Sequence, residues 1–206
     1  MKKSIIIIVT VTAICDVFAG CCNKKETKPA VEAIETAAQP VESMPAYTYI
    51  DQTSPLAAVY GYLTDSIGSR YAQGEVCIPC GHIVKMDEKD TNDIKVWGDF
   101  WIFNYDRAGD TLKTVSGGDH PGLMHLKKTG ETYAVTAFDP VEDGSRNLPS
   151  AKRIFGKYYN DFHKYNSDEQ AREKTRQEFL YDYVTRNKLP INYYQDYGWP
   201  AVKISK

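Results

Sequence analysis

Two cysteines separated by two residues, Cys77 and Cys80, are the side chains best placed for thiol chemistry. Their spacing lets two thiols meet, and Pro79 between them restricts the backbone. In thioredoxin-like enzymes a helix follows such a pair, and its N-terminus lowers the pKa of the first thiol. Here residues 81–85 have the pattern of a strand instead. We therefore expect a structural disulfide between Cys77 and Cys80, with unpaired buried thiols and a thiol-redox or metal-handling role as alternatives.

Metal binding at this pair would need more ligands than the sequence supplies. A structural zinc site usually has four ligands, whereas Cys77, Cys80 and His82 provide three at most and no second CxxC follows. Residues 139–145 contain an Asp-Gly step like that of a calcium loop, but the bidentate glutamate of an EF-hand is missing. We predict no metal site and no cofactor.

A glycine-rich segment, residues 116–122 (SGGDHPG), holds the best acid–base pair of the sequence. Gly117 and Gly118 permit positive φ angles, so successive backbone N–H groups can converge on an anion. Asp119 and His120 are neighbours, and neighbours on a strand point to opposite faces, so they can act together only in a loop. The segment favours a plain turn between strands. As an alternative, His120 and Asp119 are the acid–base groups of an enzyme.

Aromatic residues are abundant, and all 15 tyrosines and 3 tryptophans lie after residue 46. Planar rings stack on sugars and anchor protein interfaces. Trp97 and Trp101 share one face of a predicted strand, so we assign them to the core. Residues 193–199 instead have the composition of an exposed loop, and loops often carry binding residues. We expect ligand contacts from Tyr193, Tyr194, Tyr197 and Trp199.

The elements that must position these residues predict an α+β fold. Residues 54–68 have helical spacing after a serine cap, and from residue 75 to 142 the hydrophobic period changes to two. Helical patterns return at 149–162 and after residue 167. The fold class is therefore an N-terminal helix packed on a curved antiparallel β-sheet, followed by C-terminal helices. This order resembles cystatin-type and nuclear-transport-factor-2-like half-barrels, in which a helix crosses a bent sheet.

The first 20 residues have the arrangement of an export signal. Two lysines precede an apolar stretch over residues 5–14, and two small residues precede Cys21. An apolar run this short does not span a bilayer. The sequence Phe-Ala-Gly-Cys at 18–21 resembles the lipobox of bacterial lipoproteins, whose cysteine is acylated after the signal is cut. The resemblance implies a lipoprotein signal peptide over 1–20 and lipidation at Cys21; an ordinary secretory signal is the alternative.

The signal is followed by a segment with little apolar surface. Residues 21–49 are rich in Ala, Glu, Pro, Thr and Lys, a composition that cannot offset its own chain entropy by burial. We predict a disordered tether over 21–49 and a single domain over 50–206. The formal net charge is −2 and no basic stripe is present, which argues against a nucleic-acid partner.

Two short sequences, WGDFW at 97–101 and SGG at 116–118, together with the lipobox and tether, resemble small lipoproteins of the Bacteroides group. The resemblance implies no particular activity. The sequence therefore predicts a lipid-anchored, non-catalytic binding or interaction module of the cell envelope. Its candidate partners are a glycan, a peptide or another envelope protein. We expect the periplasmic face of the outer membrane, because residues 23–26 lack the acidic run of surface lipoproteins.

Overall fold

The structure is a computed structural model that describes residues 43–206. These residues have an α+β fold, as the sequence predicts: a seven-stranded sheet is packed against helices. The predicted signal peptide, the predicted lipidation site Cys21 and most of the predicted tether lie outside the described residues. Within 43–206, no helix is both long enough and apolar enough to cross a membrane.

The elements follow one another in an order close to the predicted one. Helix α1 comes first, and it continues as helical turns up to Arg70. Five strands follow: β1 (Val76–Asp87), β2 (Ile94–Ala108), β3 (Thr111–Asp119), β4 (Gly122–Thr129) and β5 (Thr132–Pro140). The helices are α1 (Pro55–Tyr62), α2 (Asn147–Phe155), α3 (Tyr159–Asn166) and α4 (Glu169–Arg186), and the last strands are β6 (Tyr193–Gln195) and β7 (Val202–Lys203).

Polar side chains cap two of the helices. The Ser54 hydroxyl accepts a hydrogen bond from the Leu56 N–H (3.2 Å) in front of Pro55, the first residue of α1. The Asp168 carboxylate accepts from the Ala171 N–H (3.0 Å) at the start of α4. Both caps satisfy backbone donors that have no partner within the helix. The predicted helix starts at these two sites are confirmed.

Strand β2 is the centre of the sheet. It pairs with β1 along one side, and on the other side with β4 near its start and β3 towards its end. The strand order is β5-β4-β2-β3-β6-β7, with β1 also on β2. The register shifts once in each of the β1–β2, β2–β3 and β4–β5 pairs. Such bulges bend a sheet, so the long strands are curved.

The prediction of a wholly antiparallel sheet is wrong at one pair. Strand β6 pairs in parallel with β3, so the sheet is mixed. The chain reaches β6 through α2, α3 and α4 and not through a hairpin turn, so β6 can add to the edge of β3 in the parallel direction. Residues 193–195, predicted as loop, are therefore a strand.

The side chains of β2 alternate between two layers of helices. Even-numbered residues such as Phe100 and Ile102 pack with Val59 and Leu63 of α1 and its extension. Odd-numbered residues face α2, α3 and α4 in turn: Trp97 donates to the Ile154 carbonyl of α2 (2.9 Å), Asp99 meets Asn166 of α3, and Trp101 lies under Arg172 of α4. This differs from the expected half-barrel, because helices cover both faces.

Two boundaries also differ from the expectations. Residues 44–49, assigned to the tether, pack on the domain: Met44 is buried, and the Tyr183 hydroxyl donates to the Pro45 carbonyl (2.6 Å). The helical segment expected at 149–162 is divided into α2 and α3 at Gly156, whose φ is +51°. A positive φ is unfavourable for residues with a Cβ, so glycine stands at the break.

Candidate functional site

A cleft of about 350 Å³ opens between the start of α4 and the sheet. Two aromatic residues of β2, Trp101 and Phe103, form its floor. Its other lining residues all belong to α4: Glu169, Gln170, Arg172, Glu173 and Arg176. The lining carries two carboxylates and two guanidiniums, so it offers both hydrogen-bond acceptors and donors.

The guanidinium of Arg176 lines this cleft and is bound to three neighbouring side chains. It donates to both carboxylate oxygens of Asp196 (2.7 Å each), to the Tyr105 hydroxyl (3.0 Å) and to the Thr114 hydroxyl (3.1 Å). Its carbon lies 3.9 Å from the centre of the Phe103 ring. The hydrogen bonds from Arg176 lower the pKa of the Asp196 carboxyl. This carboxyl therefore stays ionised at neutral pH, and its ion pair with Arg176 is kept.

Asp196 begins the turn between β6 and β7, and this turn carries two exposed rings. The backbone N–H of Trp199 donates to the Asp196 carbonyl (3.1 Å), and the side-chain amide of Gln195 donates to the Trp199 carbonyl (2.8 Å). Gly198 supplies the positive φ, +78°, that the turn requires. Tyr197 is 96 % exposed and Trp199 is 71 % exposed. The aromatic turn, residues 196–199, thus presents two rings on a backbone fixed by Arg176.

The four predicted contact aromatics therefore divide into two groups. Tyr197 and Trp199 lie on the exposed turn. Tyr194 is buried in β6, where its hydroxyl donates to the Glu173 carboxylate, and Tyr193 is half-buried in the same strand. Tyr194 thus belongs to the support of the turn, whereas Tyr197 and Trp199 are fully free to meet a ligand.

A buried carboxyl that sequence reasoning missed lies beside the cleft floor. Asp99 is 0 % exposed; one of its oxygens accepts from the Asn166 amide (3.1 Å), and the other has no hydrogen-bond partner within residues 43–206. Burial, and next the charge of the Asp119 carboxylate, raise the pKa of Asp99 to about 7. The signal in the sequence was a lone aspartate between aromatic residues of the central strand.

Charged and aromatic groups enclose this carboxyl. Asp119 is bound by Arg172 (2.8 Å), and the Arg172 guanidinium lies 4.8 Å above the Trp101 ring. His82 pairs with Asp99 across β1 and β2, and its ring stacks on Tyr165 with centres 3.8 Å apart. Burial lowers the pKa of His82. Because Asp99 has no exposed surface, it cannot touch a substrate in the cleft, and it acts on the cleft only through Asp119 and Arg172.

The structure does not bring Asp119 and His120 together. Asp119 ends β3 on the α4 side, bound to Arg172. The His120 ring instead meets the Tyr71 hydroxyl (2.9 Å), and its backbone N–H donates to the Phe100 carbonyl (2.7 Å). His120 lines a different cavity, on the α1 side of the sheet. The neighbours therefore diverge, as strand geometry requires.

Gly118 makes room for the contact between Tyr71 and His120. A Cβ at Gly118 would collide with the Tyr71 hydroxyl and would lie 3.2 Å from the His120 Nε2. We expect Gly118→Ala to lower the free energy of unfolding by about 1–3 kcal/mol, because the tyrosine must move from its bond to His120. Urea denaturation of the purified protein measures this change.

A second glycine provides the control for this prediction. A Cβ at Gly61, within α1, would meet nothing within 4 Å. Gly61→Ala is therefore expected to stabilise the protein by up to about 1 kcal/mol through helix propensity. Equal effects of the two substitutions would contradict the role given to Gly118.

The predicted disulfide between Cys77 and Cys80 is not present, because both cysteines are free. They lie three residues apart on β1, and an odd separation on a strand sends the side chains to opposite faces. Cys77 lies opposite Asn104, and Cys80 lies opposite Trp101 on the α4 side. Burial raises the pKa of Cys77 to about 11 and that of Cys80 further. Thiols with raised pKa values are poor nucleophiles at neutral pH.

Comparisons with known proteins assign this chain to no class, so its function is argued from the geometry described above. Nothing matches the chain among protein-family models, curated proteins or solved structures. Within residues 43–206, no group of three or more His, Cys, Asp and Glu side chains is arranged to hold a metal ion.

Proposed function

We propose that this protein is a lipid-anchored, non-catalytic binding module of the cell envelope whose ligand is a glycan. The aromatic turn and the adjoining cleft form its binding site. The observation that carries the proposal is the exposure of Tyr197 and Trp199 on a turn held by the ion pair between the largely buried Arg176 and the partly exposed Asp196. The proposed location at the cell envelope rests on the resemblance of residues 18–21 to a lipobox.

Fixed, exposed rings favour binding for two reasons. The apolar faces of Tyr197 and Trp199 gain free energy when a ligand removes them from water. Their backbone is already ordered by hydrogen bonds within the turn, so less conformational entropy is lost on binding. Sugars present C–H faces that stack on such rings, and their hydroxyl groups need donors and acceptors nearby.

The lining of the cleft supports a polyhydroxylated ligand over a polyanion. Arg172 and Arg176 are already paired with Asp119 and Asp196. Glu169 and Glu173 add negative charge, so a polyanion meets no complementary field. Arg176 links the two parts of the site, because it lines the cleft and binds the first residue of the turn. A glycan chain can therefore stack on the turn and extend hydroxyl groups towards the cleft.

Replacing Trp199, the less exposed of the two rings, tests the proposal. We expect Trp199→Ala to weaken binding to a glycan by about tenfold or more, as expected for an aromatic residue central to an interface. The probe is an array of plant, host and bacterial oligosaccharides, followed by calorimetry with the oligosaccharide that binds best. Trp199 is exposed, whereas Trp97 is half-buried and Trp101 is buried, so the fluorescence of Trp199 should also change on binding.

Leu148→Ala is the matched control, because Leu148 is another large exposed hydrophobic residue, on α2. It should bind as the parent does. If no oligosaccharide binds, or if Trp199→Ala binds as tightly as Leu148→Ala, the glycan proposal fails. A peptide or envelope protein that is captured through Trp199 would instead keep the site and change the ligand.

A further inference from the structure

A second cavity, of about 280 Å³, lies on the α1 side of the sheet, away from the aromatic turn. Its walls are apolar and aromatic, and they come from α1, its extension and β5: Tyr62, Ile67 and Phe138. Its polar residues are Arg70, Tyr71 and His120. Apolar walls with a few convergent polar groups are the usual composition of a small-molecule site.

Within residues 43–206, the hydrogen bond between Tyr71 and His120 leaves one donor of the pair without a protein partner. Burial lowers the pKa of His120, so its ring is neutral at pH 7 and carries one N–H. The Nε2 atom of His120 meets the Tyr71 hydroxyl at 2.9 Å. If the hydroxyl donates, the ring N–H is at Nδ1 and is unused; if Nε2 donates, the tyrosine O–H is unused. In both tautomers the pair can offer one hydrogen to a ligand.

Arg70 supplies a positive charge at the same cavity. Within residues 43–206 its guanidinium has no carboxylate within ion-pair distance. The charges that act on His120 are those of Asp119, Asp143 and Arg70 itself. Asp119 is neutralised by Arg172, and Asp143 is exposed. The cavity thus combines one guanidinium, one neutral donor and apolar walls.

We propose that this cavity binds a small carboxylic acid with an aromatic or aliphatic body. The carboxylate accepts hydrogen bonds from the Arg70 guanidinium and from the spare donor of the Tyr71–His120 pair. The body lies against Ile67, Tyr62 and Phe138. A dianionic phosphate fits less well, because one cation cannot balance two charges near Asp143. The proposal is independent of glycan binding at the aromatic turn.

Phenylacetate is the probe, and its neutral analogue phenylacetamide has nearly the same shape. We expect the acid to bind the purified protein about tenfold more tightly than the amide, because a charged acceptor strengthens both bonds. Calorimetry or ligand-observed NMR measures the two affinities. Arg70→Met should remove this preference, Arg70→Lys should keep part of it, and phenyl phosphate should bind more weakly than phenylacetate.

Arg186→Met, on α4 behind the other face of the sheet, is the matched control and should bind phenylacetate as the parent does. His120→Phe alone leaves the Tyr71 O–H free to donate. The double variant Tyr71→Phe with His120→Phe removes both donors of the pair and should weaken acid binding more than amide binding. The proposal is overturned if the acid and amide bind equally, if Arg70→Met binds as the parent does, or if phenylacetate does not bind. Tighter binding of phenyl phosphate would overturn the assignment of a carboxylate.

Discussion

Replacing Arg176 with methionine is expected to destabilise the domain by about 3–5 kcal/mol, as does the loss of one partner from a buried ion pair. The substitution keeps most of the apolar stem but removes every donor. The Asp196 carboxylate, the Tyr105 hydroxyl and the Thr114 hydroxyl all lose their bonds to the guanidinium. The side chain of Arg176 is largely buried while that of Asp196 is partly exposed, so solvation of Asp196 places the effect towards the lower end.

Urea denaturation measures this loss, and Lys174→Met on the same helix is its control. Lys174 is exposed, and its ammonium group lies 4.0 Å from Glu178, a surface pair that contributes little. The control should change stability by less than about 1 kcal/mol. If both methionine variants unfold at the same urea concentration, Arg176 does not fix the aromatic turn. A folded Arg176→Met protein should also show faster motion of the Trp199 indole in fluorescence anisotropy.

The support of the site explains why its aromatic residues could be predicted only in part. The composition of residues 193–199 indicated exposed rings, and Tyr197 and Trp199 are exposed. Tyr194 is buried because β6 adds to β3 in parallel, a pairing between residues about 80 positions apart in the sequence. Local patterns carry no information on such a contact. The partner that orders the turn, Arg176, lies on a helix where a basic residue looks like solvent-exposed surface.

The fold was easier to predict, because its signals are local. The caps at Ser54 and Asp168 and the period of two in β1 to β5 depend on near neighbours. The prediction of a disulfide was wrong because Cys77 and Cys80 lie on a strand, where an odd separation places the two thiols on opposite faces. The spacing favoured a turn, whereas eleven residues of cross-strand pairing with β2 hold the segment extended.

Asp99 was missed because burial depends on packing, and its burial leads to the last prediction. We expect Asp99→Asn to stabilise the protein by about 2–4 kcal/mol at about pH 8. The folded pKa is about 7, above the ordinary value of about 3.9 in an unfolded chain. A raised pKa means that stability is fully present below about pH 4 and is lost as the pH rises through about 7. Asparagine resembles the protonated acid, and its amide can donate to Asp119, so the variant avoids this loss.

The difference in unfolding free energy between the variant and the parent, measured in urea from about pH 4 to pH 8, tests the assignment. It should be near zero at the acidic end, grow with pH, and level off above the folded pKa. Asp161→Asn, which removes an exposed carboxylate of α3, is the control for the loss of one negative charge. A less stable Asp99→Asn protein at the alkaline end would mean that Asn166 and Arg172 stabilise an ionised Asp99. The carboxyl would then be a permanent counter-ion of Arg172, whereas a neutral Asp99 leaves Asp119 alone to position that guanidinium over Trp101.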